Sequence, residues 1–142
     1  MNFSGTSNFI NNSAYGGGAI CATYNTYLNF TGTSNFINNS ANYGSGGAID
    51  AKHNTSLSFT GTTNFIKNSA ASSGGAIYVF GDDTSLNFAG TSNFIDNSID
   101  TKVGYGGAIA ALYNVSLSFI GTNNLIKNSA SLGGAIAAAN TV

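Results

Sequence analysis

The side chains that could perform acid–base or nucleophilic chemistry are few. Five Asp (Asp50, Asp82, Asp83, Asp96 and Asp100), a single His53 and a single Cys21 stand beside the Ser and Thr hydroxyls, with no Glu and no Arg. Glycan hydrolysis or elimination needs paired carboxylates, usually helped by a basic residue or a cation. A Ser or Cys nucleophile needs a base within reach. In the internal alignment described below, Cys21 falls beside Asp50 and not beside His53, and His53 falls between Tyr24 and Tyr113, as on a surface edge. Asp96 occupies an outward column with Asn11, Asn38, Lys67 and Lys127, which predicts an exposed ion-pair ladder, at under about 1 kcal/mol per pair. Asp82-Asp83, in a one-residue insertion after Gly81, is the candidate metal site. Two neighbouring carboxylates fall far short of the roughly 6–8 oxygens that Ca²⁺ takes. No catalytic site and no cofactor motif assemble from these residues, so the chain does not read as an enzyme.

The elements that would position them are repeats. L-x-F-x-G-T stands at 28–33, 57–62, 86–91 and 117–122, and at 1–6 with Met1 for Leu. N-F-I-x-N-S follows at 8–13, 35–40, 64–69 and 93–98, and at 124–129 with Leu125 for Phe. G-G-A-I then ends at Ile20, Ile49, Ile77, Ile109 and Ile136, at spacings of 29, 28, 32 and 27 residues. The resulting units are 1–27, 28–56, 57–85, 86–116 and 117–142. Apolar–polar alternation marks short strands. Gly interrupts every candidate helix, and Asn, Ser and Thr favour turns. A unit of this length cannot bury its own apolar face, but stacked units can.

The predicted fold is therefore an all-β, right-handed parallel β-helix (β-solenoid). It has about five coils of three short strands, roughly 29 residues per coil, stacked about 4.8 Å apart. Expected interior columns are Phe3, Phe30, Phe59, Phe88 and Phe119; Ile10, Ile37, Ile66, Ile95 and Ile126; and Ile20, Ile49, Ile77, Ile109 and Ile136. Asn columns at 8, 35, 64, 93 and 124 and at 12, 39, 68, 97 and 128 read as structural: Asn tolerates left-handed turns, and its amide can hydrogen-bond along the stack.

If Leu57 and Phe59 point inward, Ser58, Thr60 and Thr62 point outward and Gly61 inward. Thr6, Thr31, Thr33, Thr60, Thr62, Thr91 and Thr122 then form an uncharged outward array, broken at Ala89 and Ile120. It resembles the T-x-T faces of ice-binding solenoids, although Thr suits any exposed strand. N-x-S/T sequons make Asn11, Asn38, Asn54 and Asn114 candidate glycosylation sites, with Asn2 and Asn29 lying on the strand face. The longest variable loop, 98–105, is a second place for binding.

Only 6% of the 142 residues are charged and the net charge is −1, against about 25% charged in an ordinary domain. Nothing here attracts nucleic acid, and no apolar run approaches the roughly 18 residues of a membrane-spanning helix. The lone Cys21 excludes an internal disulfide.

The paired motif, Phe36-Ile37-Asn38-Asn39 followed by Gly46-Gly47-Ala48-Ile49 and its counterparts in the other units, resembles the repeats of the polymorphic outer membrane proteins of chlamydiae. Similar repeats occur in large surface proteins of other microbes and simple animals. The resemblance implies an extracellular or cell-surface, adhesin-like passenger that meets a host surface, and it carries no catalytic residues. No polar capping segment is evident, and Asn140-Thr141-Val142 leads in register toward a further Met1-like unit. The expectation is a structural or adhesive rod that self-associates end to end or continues as a longer array. The alternative is an ice- or glycan-binding module using the Thr array.

Overall fold

The computed structural model describes residues 1–140. The expected continuation through Thr141 and Val142 lies outside the described residues. The described chain is all β, with every strand pairing parallel to its equivalent in the neighbouring coil. It is a β-solenoid of five coils, with four sheets running along its axis. Sheet A contains Asn2–Phe3, Thr26–Phe30, Thr55–Phe59, Ser85–Phe88 and Ser116–Phe119. Sheet B contains Thr6–Ile10, Thr33–Ile37, Thr62–Ile66, Thr91–Ile95 and Thr122–Ile126. Sheet C is built from the dipeptides Ser13–Ala14, Ser40–Ala41, Ser69–Ala70 and Ser98–Ile99. Sheet D contains Ile20–Thr23, Ile49–Lys52, Ile77–Phe80, Ile109–Leu112 and Ile136–Ala139.

The inner coils thus hold four strands where three were expected: the Ser-Ala or Ser-Ile dipeptide of sheet C is the additional one, and the Thr that closes L-x-F-x-G-T lies beyond a corner and opens the N-F-I strand of sheet B. The glycine makes the corner. A Cβ on Gly61 would sit 2.0 Å from the Gly32 carbonyl oxygen and 2.5 Å from that of Thr31. Only a bare Cα allows the coils to close to strand-pairing distance there. Gly61 therefore points along the stack at the preceding coil, and not into the core as the alternation predicted.

Two aromatic ladders fill the interior. Phe3, Phe30, Phe59, Phe88 and Phe119 stack with ring centroids 4.5, 4.7, 4.8 and 5.3 Å apart. Phe9, Phe36, Phe65 and Phe94 stack at 4.6, 4.8 and 4.8 Å, and the ladders meet edge-on, as at Phe30–Phe36 (5.7 Å). The Ile49, Ile77 and Ile109 column is buried as expected.

The second expected Ile column is not in the core. Ile10 and Ile126 are each 47% exposed, and Ile37, Ile66 and Ile95 are half-buried on the outer face of sheet B. The strand begins at the Thr after the corner, so Thr, Asn and Ile share the outward parity while Phe points in. A one-residue difference in where the strand starts reverses every side chain. The inward position between Thr and Asn is polar. Ser34, Thr63 and Ser92 are buried there, and their hydroxyls find no hydrogen-bond partner among the described residues.

Candidate functional site

The inner corner after sheet B is held by amides. Asn68 Nδ2 donates to Asn97 Oδ1 (3.0 Å) and to the Phe36 carbonyl oxygen (2.9 Å). Asn68 Oδ1 in turn accepts from Asn39 Nδ2 and from the Asn39 backbone N–H, both at 3.0 Å. The pattern runs unbroken from Asn12 to Asn128, so the predicted amide ladder is present. The left-handed residue is the one before it: Asn11, Asn38, Lys67, Asp96 and Lys127 have φ from 53 to 57°. A second ladder, exposed on sheet B, joins Asn8, Asn35, Asn64, Asn93 and Asn124 through Nδ2–Oδ1 bonds of 2.8 Å.

The candidate array of Thr residues is exposed, but it spans a corner and not one flat strand. Thr31 and Thr60 sit on the turn out of sheet A, whereas Thr6, Thr33, Thr62, Thr91 and Thr122 open the strands of sheet B. Between the two ranks the glycine corners floor a shallow trough of about 400 Å³, lined in part by Thr60, Thr62, Thr91 and Thr122.

Asp82 and Asp83 lie exposed on the turn between sheets D and A, with Asp83 left-handed (φ 55°) and Asp82 Oδ1 accepting from Asn114 Nδ2 at 2.6 Å. Among the described residues, no group of three or more His, Cys, Asp or Glu is placed to hold a metal ion. Of the sequon asparagines, Asn11 and Asn38 are exposed on the left-handed corner. Asn54 Nδ2 is engaged by Asn25 Oδ1 (2.5 Å), and Asn114 Nδ2 by Asp82.

The predicted ion-pair ladder around Asp96 does not form. The ion pair found among the described residues is Lys52 Nζ to Asp50 Oδ2, at 2.8 Å. Lys67, Asp96 and Lys127 are solvated, and long side chains gain too little in water to be held together. His53 stacks on Tyr24 with centroids 5.2 Å apart and meets the Phe80 ring edge-on at 5.8 Å, while Tyr113 packs against Phe80 at 5.0 Å. The aromatic neighbourhood expected for His53 is thus present, except that Phe80 stands between it and Tyr113.

Sequence reasoning missed Asp50. It pairs in register with Cys21, as expected, and with Tyr78. It is nonetheless 4% exposed on the outer side of sheet D, because the Gly16-Gly17 turn covers it. Burial pushes its carboxyl above the ordinary 3.8, and the Lys52 hydrogen bond and charge offset part of the rise. Burial, with the neighbouring Asp50 charge, pushes the Tyr78 phenol up to about 12.

A charge-poor stack of parallel coils, closed by glycine corners and amide ladders, defines a β-solenoid repeat protein. Two of its units, residues 6–23 and 62–79, match the family model of the Chlamydia polymorphic membrane protein repeat. Each matched segment runs from the first residue of a sheet B strand, through the amide ladder, into sheet D. No curated protein and no solved structure matches the chain. The repeat and the β-solenoid fold fit a surface repeat protein.

Proposed function

We propose that the chain forms a stretch of an extracellular, adhesin-like rod at a cell surface, and that its coils extend end to end. The observation that carries this is the complementarity of its two end surfaces. In every interior step, an Asn backbone N–H and Nδ2 donate to the Oδ1 of the next Asn. At the outer edge of the fifth coil, Asn128 presents this donor pair, and at the outer edge of the first, Asn12 presents the Oδ1 acceptor. The first edge also opens an apolar hollow of about 540 Å³ lined in part by Phe3, Phe9, Ile20 and Leu28. The opposite edge offers the half-buried Phe119, Leu125 and Ile136, their counterparts in the repeat. A further coil of the same pattern, from the same chain or a second copy, continues every column in register.

Electron microscopy of the purified chain over a concentration series tests this. Uniform filaments one solenoid wide, with an axial period of about 4.8 Å or about 24 Å per chain, are expected. Discrete particles at every concentration would refute stacking by a second copy.

A further inference from the structure

Sheet B keeps three outward columns unchanged through all five coils, where sheet C keeps one, of Ser. Its outward triplet is Thr, Asn, Ile in all five coils, from Thr6, Asn8 and Ile10 through to Thr122, Asn124 and Ile126. The inward positions of the same strands do change: Thr63 shares a column with Ser92 and Asn123, and Leu125 replaces Phe. Sheet D offers an internal control. One outward column there runs Cys21, Asp50, Tyr78, Ala110, Ala137. Membership of the repeat therefore does not by itself make an outward column uniform. At the exposed Thr positions the fold does not account for the uniformity, since substitutions there usually shift stability by no more than about 0.5 kcal/mol. The Asn column is tied by its own ladder, but the Thr and Ile columns are not among the residues packed into the core.

We propose that the outer face of sheet B docks an extended, uncharged polysaccharide lying along the solenoid axis. The strands of the face carry no charge, and the exposed corner beside the Ile column alternates in sign through Lys67, Asp96 and Lys127, so the face favours a neutral partner over a phosphate backbone or an acidic glycan. Asn35, Asn64 and Asn93 each use one N–H and part of Oδ1 on their neighbours, leaving a second N–H and further acceptor capacity to face outward. These repeat with each coil beside a Thr hydroxyl on one flank, a pairing suited to sugar hydroxyls. On the other flank the half-exposed Ile ridge suits the apolar C–H faces of the rings. The same Thr, Asn and Ile contact recurs once per coil along the axis, which suits a polymer of repeating units, whose successive weak contacts are multiplied by effective concentration.

The test is cosedimentation of the folded chain with suspended cellulose and chitin particles, comparing wild type with an Ile66→Lys/Ile95→Lys double variant and with Leu112→Lys on the outer side of sheet D. Circular dichroism verifies folding, and Thr62→Lys serves if the double variant does not fold. Expected are retention of wild type and Leu112→Lys, and binding on the order of tenfold weaker for the sheet B variants. Absence of retention on both particles, or equal weakening by Leu112→Lys, overturns the proposal. So does freezing hysteresis without retention, which would assign the face to ice. A concentration-dependent dimer lost in Ile66→Lys/Ile95→Lys, again without retention, would assign it to a second copy. Filament formation is read separately by microscopy, so failure of the rod reading and failure of this one are distinguishable.

Discussion

Replacing Asn68 with Ala strikes the centre of the buried amide ladder. Its side chain makes four hydrogen bonds: two donated, to Asn97 Oδ1 and the Phe36 carbonyl, and two accepted, from the Asn39 backbone N–H and Nδ2. Asn97 Oδ1 keeps the bond donated by the residue 68 backbone N–H. The Asn39 backbone N–H and the Nδ2 hydrogen aimed at Asn68 are left buried without an acceptor, at about 1–3 kcal/mol each. The expected loss is therefore about 2–6 kcal/mol. Asn12→Ala is the internal control. That side chain is exposed and donates a single bond, to Asn39 Oδ1 at 2.9 Å, so about 0.5–1.5 kcal/mol is expected. Urea unfolding followed by circular dichroism reads both, with midpoints compared at matched slopes. Equal destabilisation by the two variants would refute the ladder as the element that fastens coil to coil.

Two further predictions follow from burial. Phe65→Ala should cost about 3–5 kcal/mol, whereas its neighbour Ile66→Ala, on the outer face, should cost about 1 kcal/mol or less; thermal denaturation of the pair reads which of the two lies in the core. Asp50 carries a pH signature of defined sign. Its folded carboxyl is raised above the ordinary 3.8, so its favourable contribution is full below that value and fades as pH rises through the folded value. Melting temperatures of wild type and Asp50→Asn from about pH 3 to 7 should accordingly diverge in favour of the variant as pH rises, and a pH-independent difference would count against the assignment.

The sequence made the solenoid, its coil phase, the Phe column of sheet A and the amide columns legible, because stacking like on like leaves a period that can be read directly. The sheet B parity was harder. N-F-I places two apolar residues side by side, and alternation alone allows either to point inward. The signal that decides it is Asn8: an exposed amide two residues from Ile10 puts that Ile on the same outward side. The corner at Gly61 escaped because L-x-F-x-G-T alternates well enough to pass for one strand, and the close approach is to Gly32 in the preceding coil, about 29 residues away. The left-handed column of Asn11, Asn38, Lys67, Asp96 and Lys127 was legible only as polar, since Lys and Asp give little local sign of positive φ. Asp50 was invisible for another reason: its cover comes from a turn in the preceding coil, which no pattern within its own strand announces.

The two amide ladders point opposite ways. In the buried one, Nδ2 of Asn12 reaches forward to Asn39; in the outer one, Nδ2 of Asn35 reaches back to Asn8. Their dipoles therefore oppose each other along the axis. The alternating carbonyls of the sheets likewise add little. An α-helix, by contrast, develops partial charges at its two ends from its aligned peptides. A solenoid of this kind lengthens without that polarisation, so the hundredth coil would meet the same electrostatic environment as the third.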